Sequence, residues 1–142
     1  MIAVDTNALV YAHRAEMDLH ASAADRLTAL AEGDERWALP VFCVTEFLRV
    51  VTHPRVFNPP STVTEALGFI DELLASPTCE VVCPEAGFLD RLGAVIRESD
   101  ARGNLVFDAQ IAALCGQHGI PSILTNDHDF ERFPQLNVSY LR

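Results

Sequence analysis

Alternation is the feature that most constrains this chain. Short apolar runs, "IAV" at 2–4, "WAL" at 37–39, "CEVVCP" at 79–84 and "SILT" at 122–125, recur between longer stretches patterned at helical period. Runs this short, bounded by turn residues, read as strands buried on both faces. Strands separated by helices pair in parallel, because each helix carries the chain back across the sheet. The expected fold class is therefore α/β: a short parallel sheet covered by helices on both faces, in three layers. Helices are expected over about 6–13, 20–32, 40–51, 62–75, 85–99 and 105–115, and "NVSYL" at 137–141 reads as a last, edge strand. Pro40 suits the first turn of its helix. "NPPST" at 58–62 is a loop, with Ser61 or Thr62 capping the helix that follows. On that helix Val63, Leu67, Ile70 and Leu74 form one apolar stripe. Gly119 stops the helix after 105–115.

With 142 residues, 49% of them hydrophobic, the expectation is one domain over 1–142 with a sizeable core. No apolar stretch reaches the roughly 20 residues of a membrane span, and no basic segment leads an apolar one at the start. The four cysteines, Cys43, Cys79, Cys83 and Cys115, show no zinc-type spacing and read as buried, reduced thiols of a cytoplasmic protein. The net charge is −10 and every basic residue other than histidine is arginine. That balance argues against binding nucleic acid through a broad basic surface. It leaves open an enzyme whose acids gather around divalent cations, since a bound metal inverts the local field.

In such sheets the working crevice lies beyond the carboxyl ends of the strands. Asp5 ends the first strand, in "IAVDTNALVYA", and Asp127 follows "SILTN" at the end of another. Glu46 interrupts "PVFCVTEFLRVV" and Asp108 interrupts "NLVFDAQIAAL", both otherwise core-like. Each acid has an ordinary structural reading. Asp5 can cap a helix by accepting from Asn7 or Ala8 N–H. Glu46 can pair with Arg49, and Asp108 can sit at the positive end of a helix dipole. Asp127 and Asp129, in "TNDHDF", can make turn bonds. Together these readings strain, because buried carboxylates are costly unless paired and arginine is scarce near them. A hard divalent cation with oxygen ligands satisfies several at once, whereas the five histidines show no zinc-binding spacing. Mg²⁺ or Mn²⁺ is the cofactor expected. Asparagine caps a helix as well as aspartate does, so Asp5→Asn should separate the two roles of that residue.

The segments "VDTNALVYA", "TEFLRV", "NLVFDAQIAAL" and "LTNDHDF", in this order, resemble the PIN-domain nucleases, and among them the VapC-type toxins of toxin–antitoxin modules. The resemblance covers almost the whole chain, from Asp5 to Phe130. It implies a PIN-like, Rossmann-like sheet and a metal-dependent endoribonuclease, in which Asp5, Glu46, Asp108 and Asp127 hold the metal and carry catalysis. Thr6, Asn7, Thr125 and Asp129 would support that shell, with Asp127 preferred to Asp129 as the ligand because it lies nearer the strand end. Hydrolysis by a metal-activated water would leave a 5′-phosphate and a 3′-hydroxyl. Arg14, Arg102 and Arg132 are candidates to touch RNA phosphates outside the metal shell. A cognate antitoxin would cover the acidic groove and neutralise it with a basic side chain, and spare apolar surface on helices such as 62–75 points to a homodimer.

Rival readings are weaker. A haloacid-dehalogenase-type phosphatase needs a second aspartate where Asn7 stands, and a lysine, which the chain lacks. A dinucleotide fold needs glycines after the first strand, and "DTNAL" has none. A catalytically silent PIN-like interaction module would be free to lose site acids, and here none is lost.

Overall fold

A computed structural model describes residues 1–141. Five strands, β1 (Ile2–Val4), β2 (Trp37–Pro40), β3 (Cys79–Val82), β4 (Ser122–Leu124) and β5 (Asn137–Ser139), form one sheet in the order β3-β2-β1-β4-β5. Every pairing is parallel. Six helices supply the crossovers: α1 (Thr6–His13) and α2 (His20–Glu32), α3 (Val41–Val51) and α4 (Val63–Leu74), α5 (Phe88–Ser99) and α6 (Leu105–Gln117). A 3₁₀ turn, His128–Arg132, links β4 to β5. The α/β class and the helix-covered parallel sheet expected from alternation are what the chain forms.

The chain begins in the middle of the sheet, builds outward to β3, then returns to the other side of β1 as β4. Ala3 and Val4 pair with Ile123 and Leu124 at that junction, and all four are fully buried. β1 and β4 therefore leave the sheet side by side at the point where strand order reverses, where a crevice opens in doubly wound folds. The core around them is filled by Trp37, Phe47, Phe130 and Phe133 together with Leu9, Leu39 and Leu114. Among the described residues no helix is long and apolar enough to cross a membrane.

Local chemistry corrects several expectations. Pro40 is the last residue of β2 and the N-cap of α3, with extended backbone (φ −59°, ψ 131°), rather than a residue of the first turn. Its fixed φ suits either place; the pairing of Pro40 with Val82 holds it in the strand. Thr62, not Ser61, caps α4, in a reciprocal box in which Thr62 Oγ1 accepts from Glu65 N–H and Glu65 accepts from Thr62 N–H. α5 starts at Phe88 instead of 85, because residues 85–87 make a turn closed by Phe88 N–H to Glu85 C=O, with Gly87 at φ +84°. α6 runs on to Gln117.

The apolar stripe expected on α4 is divided: Ile70 packs inward and its other three members face outward. Val63 is 66% exposed and Leu67 46%, while Ala66, Ile70 and Leu73 are buried. Phe69 packs against His13 and Phe47, which turns the helix toward α1 and α3 and leaves Val63, Leu67 and Leu74 outward. Helical period alone admits either face; the partner surface chooses. All four cysteines are free, but only Cys43 and Cys115 are buried; Cys79 is half-buried and Cys83 exposed.

Candidate active site

Asp5 is the first residue beyond β1, and its side chain works as the N-cap of α1. The donor is Thr6 N–H, at 2.8 Å, rather than Asn7 or Ala8. That bond uses Oδ1, which also accepts from the Cys43 thiol at 3.7 Å. Oδ2 accepts from Thr125 Oγ1 at 2.7 Å and from Asn7 Nδ2 at 3.1 Å. The carboxylate, 5% exposed, is thus gripped at both oxygens by donors from α1, α3 and the end of β4. Burial nevertheless pushes its pKa up to about 6; the Thr125 and Thr6 hydrogen bonds pull it back, and the charges of Glu46 and Asp127 raise it again.

Thr125 is the hub that ties the two strand ends together. It is fully buried, donates to Asp5, and accepts from Asp127 N–H at 3.0 Å and from Asn7 Nδ2 at 3.0 Å. Asn7 completes the clamp by accepting from Asn126 N–H at 3.1 Å. Thr125→Val keeps the shape and removes the three bonds made by the Thr125 hydroxyl. We expect it to cost about 2 kcal/mol, the usual range for stranding buried donors and acceptors, and to lower activity by freeing Asp127. Urea unfolding checks the first part, and Thr125→Ser should recover most of it.

Asp127 accepts from Asp129 N–H at 2.9 Å, capping the 3₁₀ turn, so its turn role and its place at the strand end coexist. One carboxylate oxygen from each of Asp108, Asp127 and Asp129 lies within 4.8 Å of the other two. Asp108, in the first turn of α6, has its pKa pushed up to about 7, by burial first and then by the charges of Asp127, Asp5, Asp129 and Glu46. Glu46, on α3, faces the same crevice. Among the described residues none of these acids forms an ion pair, so the alternative reading of Glu46 as the partner of Arg49 is not realised.

Two connected clefts share Glu46, Asp108 and Asp127. The larger holds about 630 Å³ and adds Asp129; the smaller, about 290 Å³, reaches Asp5, Thr6 and Asn7. The structure therefore brings together all the acids singled out in the sequence. Asp129, ranked behind Asp127, stands in the tightest trio, whereas Asp5 and Glu46 lie just outside it. The donor set suits a hard divalent cation: carboxylate oxygens converge and, among the described residues, no histidine lines either cleft and no arginine pairs with these acids, although Arg49 lines the larger cleft.

The three arginines separate. Arg14 is held by Glu16, Ser61 Oγ and the Pro59 carbonyl, with its guanidinium 4.3 Å from the Phe57 ring centroid. Its side chain is 12% exposed, so it pins the loop before α4 and is not available to a phosphate. Arg102 pairs with Asp100 and Arg132 donates to the Ser99 carbonyl. Both line a cleft that shares Leu105 and Asp129 with the acidic one. Phe42, Phe107, Asn104 and Gln110 also line the acidic cleft and were not singled out in the sequence; an aromatic beside Asp108 reads as core until the fold leaves it outside.

A family model described as PIN domain matches residues 2–136, and the chain belongs to the PIN-domain family. Its relatives within that family are VapC ribonucleases. The VapC ribonuclease Mb2897 of Mycobacterium bovis is 37% identical over 136 residues, 96% of this chain and 92% of that protein. Ribonuclease VapC31 of Mycobacterium tuberculosis is 32% identical, covering 96% of this chain and 95% of its own. Among solved structures, VapBC2 from Rickettsia felis bound to a promoter DNA fragment superposes over 100% of both chains, with a TM-score of 0.72 at 22% identity. The sarcin-ricin loop cleaving toxin VapC20 of Mycobacterium tuberculosis gives 0.68 at 19% identity, over 92% of this chain and 93% of that one. At those identities the likeness to the two structures concerns the fold.

Proposed function

We propose that the chain is a metal-dependent endoribonuclease, the toxin of a VapBC-type pair, acting as a single PIN domain on RNA in the cytoplasm. The observation that carries the reading is the unpaired convergence of Asp108, Asp127 and Asp129, with Asp5 and Glu46 beside them, in a chain 37% identical to a VapC ribonuclease. Mg²⁺ or Mn²⁺ held by these carboxylates would polarise the scissile phosphate and activate a water. The remaining work belongs to the chain. Thr125 and Asn7 fix the distance between the ends of β1 and β4, so that Asp5 and Asp127 face the cleft in one arrangement. Without a cation the cluster repels an RNA phosphate, which makes the bare site inert.

The same charge gives the partner its chemistry. An antitoxin segment carrying an arginine is opposite to the carboxylates in charge, fits their geometry and excludes the metal. The outward stripe Val63, Leu67 and Leu74 supports a homodimer, because exposed apolar surface in a row is what an isologous contact covers.

The reaction type is tested at the ends of the products. Fragments made by the purified protein with Mn²⁺ should ligate through their 5′-phosphates without kinase treatment. Ends carrying a 2′,3′-cyclic phosphate would mean that the ribose 2′-hydroxyl attacks, and would refute hydrolysis by water.

A further inference from the structure

Phe107 is 58% exposed, although it sits one residue before Asp108 on a helix whose centre, from Ile111 to Cys115, is buried. A single exposed apolar residue is unremarkable on a protein surface. This one forms part of the wall of the acidic cleft, and polar groups with hydrogen-bonding capacity to spare surround it. Asn104 heads α6 without a capping bond from its side chain. Asn104, Gln110 and Arg49 line the same wall, and among the described residues none of the three side chains appears in a hydrogen bond or ion pair. A flat aromatic face, two side-chain amides and a guanidinium beside a phosphate-cleaving centre are what an unpaired nucleotide requires. The ring accepts a base, the amides meet its edge, and the cation meets a phosphate.

We infer that Phe107 positions the substrate by stacking on one unpaired base of the RNA while the adjoining phosphate lies over Asp108 and Asp127. The inference rests on the nuclease reading and deepens it, since it assigns to one exposed side chain of the cleft wall the holding of an unpaired base. A base within a duplex is covered on both faces by its neighbours and cannot reach the ring.

The test uses the whole protein with Mg²⁺ and three probes: a short single-stranded RNA, the same strand annealed to its complement, and a nuclease-resistant phosphorothioate strand. Phe107→Ala should melt with the parent, because the ring is exposed. Its kcat/KM on the single strand should fall roughly 5- to 100-fold, the range of losing one stacked base, with most of the change in KM. Phe107→Trp should keep the parent value. Its new indole should also be quenched by the phosphorothioate strand, a signal that the fully buried Trp37 does not give. Cleavage of the annealed strand at the rate of the free one overturns the choice of an unpaired base. If the parent cuts RNA while Phe107→Ala matches it and no quenching appears, the stacking role is overturned and the nuclease reading stands. Quenching by an arginine-bearing antitoxin peptide but not by the nucleic acid makes the wall a protein-binding surface, and likewise overturns it. A parent that cuts no RNA overturns both.

Discussion

Asp108→Asn is expected to abolish RNA cleavage, by roughly 100-fold or more given the several kcal/mol that metal-borne charge stabilisation supplies, without lowering the melting temperature of the metal-free protein. Two observations set the direction. The Asp108 carboxyl is held at about 7, which means the fold disfavours its charged form. It also lies in the first turn of α6, where a carboxylate gains about half a kcal/mol from the dipole, less than burial and the repulsion of four neighbouring acids together take away. Neutralising it would remove a proposed ligand and relieve a repulsion together. Activity measured beside the melting temperature in chelator decides the matter: a variant that cuts at the parent rate removes Asp108 from the site, and one that unfolds early makes it structural. Asp5→Asn will not be the clean control that capping statistics suggest. Both Asp5 oxygens accept hydrogen bonds, so an asparagine must turn its NH₂ against a donor. That variant should lose activity and also about 1–3 kcal/mol of stability.

Removing divalent metal should abolish cleavage outright and expose a pH dependence of opposite sign to that of the loaded protein. Asp5 and Asp108 have folded values of about 6 and about 7 against an ordinary 3.8. Between roughly pH 4 and 7 the folded chain therefore binds more protons than the unfolded one, and its stability falls as pH rises through that window. For the buried Asp5 alone the loss is on the order of 2–3 kcal/mol; Asp108, partly open to solvent, adds less than its shift suggests. Metal binding needs the deprotonated acids, so Mn²⁺ should add stability increasingly toward pH 8. At a hundredfold excess over its Kd the gain is about 2.7 kcal/mol. Melting curves across pH 5–8, with Mn²⁺ and with chelator, should diverge as pH rises. Parallel curves, or cleavage that survives in chelator, would remove the metal from the mechanism.

The alternation of strand and helix, the parallel pairing and the acids at strand ends were all legible, because each follows from period and from local breaks in apolar runs. "IAVDTN" and "SILTND" place an acid just past a buried strand, and the topology of a doubly wound sheet then makes neighbours of them. The donors that hold those acids were only half legible. Thr125 and Asn7 entered through resemblance to PIN domains, whereas the Cys43 contact to Asp5, between residues 38 positions apart, has no local signal.

What the sequence by itself determined is the parallel sheet, a crevice beyond the carboxyl ends of its strands and the acidic character of that crevice. These depend on hydrophobic period and on where carboxylates interrupt it, and both are written along the chain. Tertiary structure alone decided which face of α4 is buried, that Arg14 pins a loop instead of facing a phosphate, and that Asp129 joins Asp108 and Asp127. It also turned Phe107 outward into the cleft wall. A helix has several faces with similar apolar content, and an arginine can reach many partners. The surfaces that pack against them make the choice, and those come from residues far away in the chain.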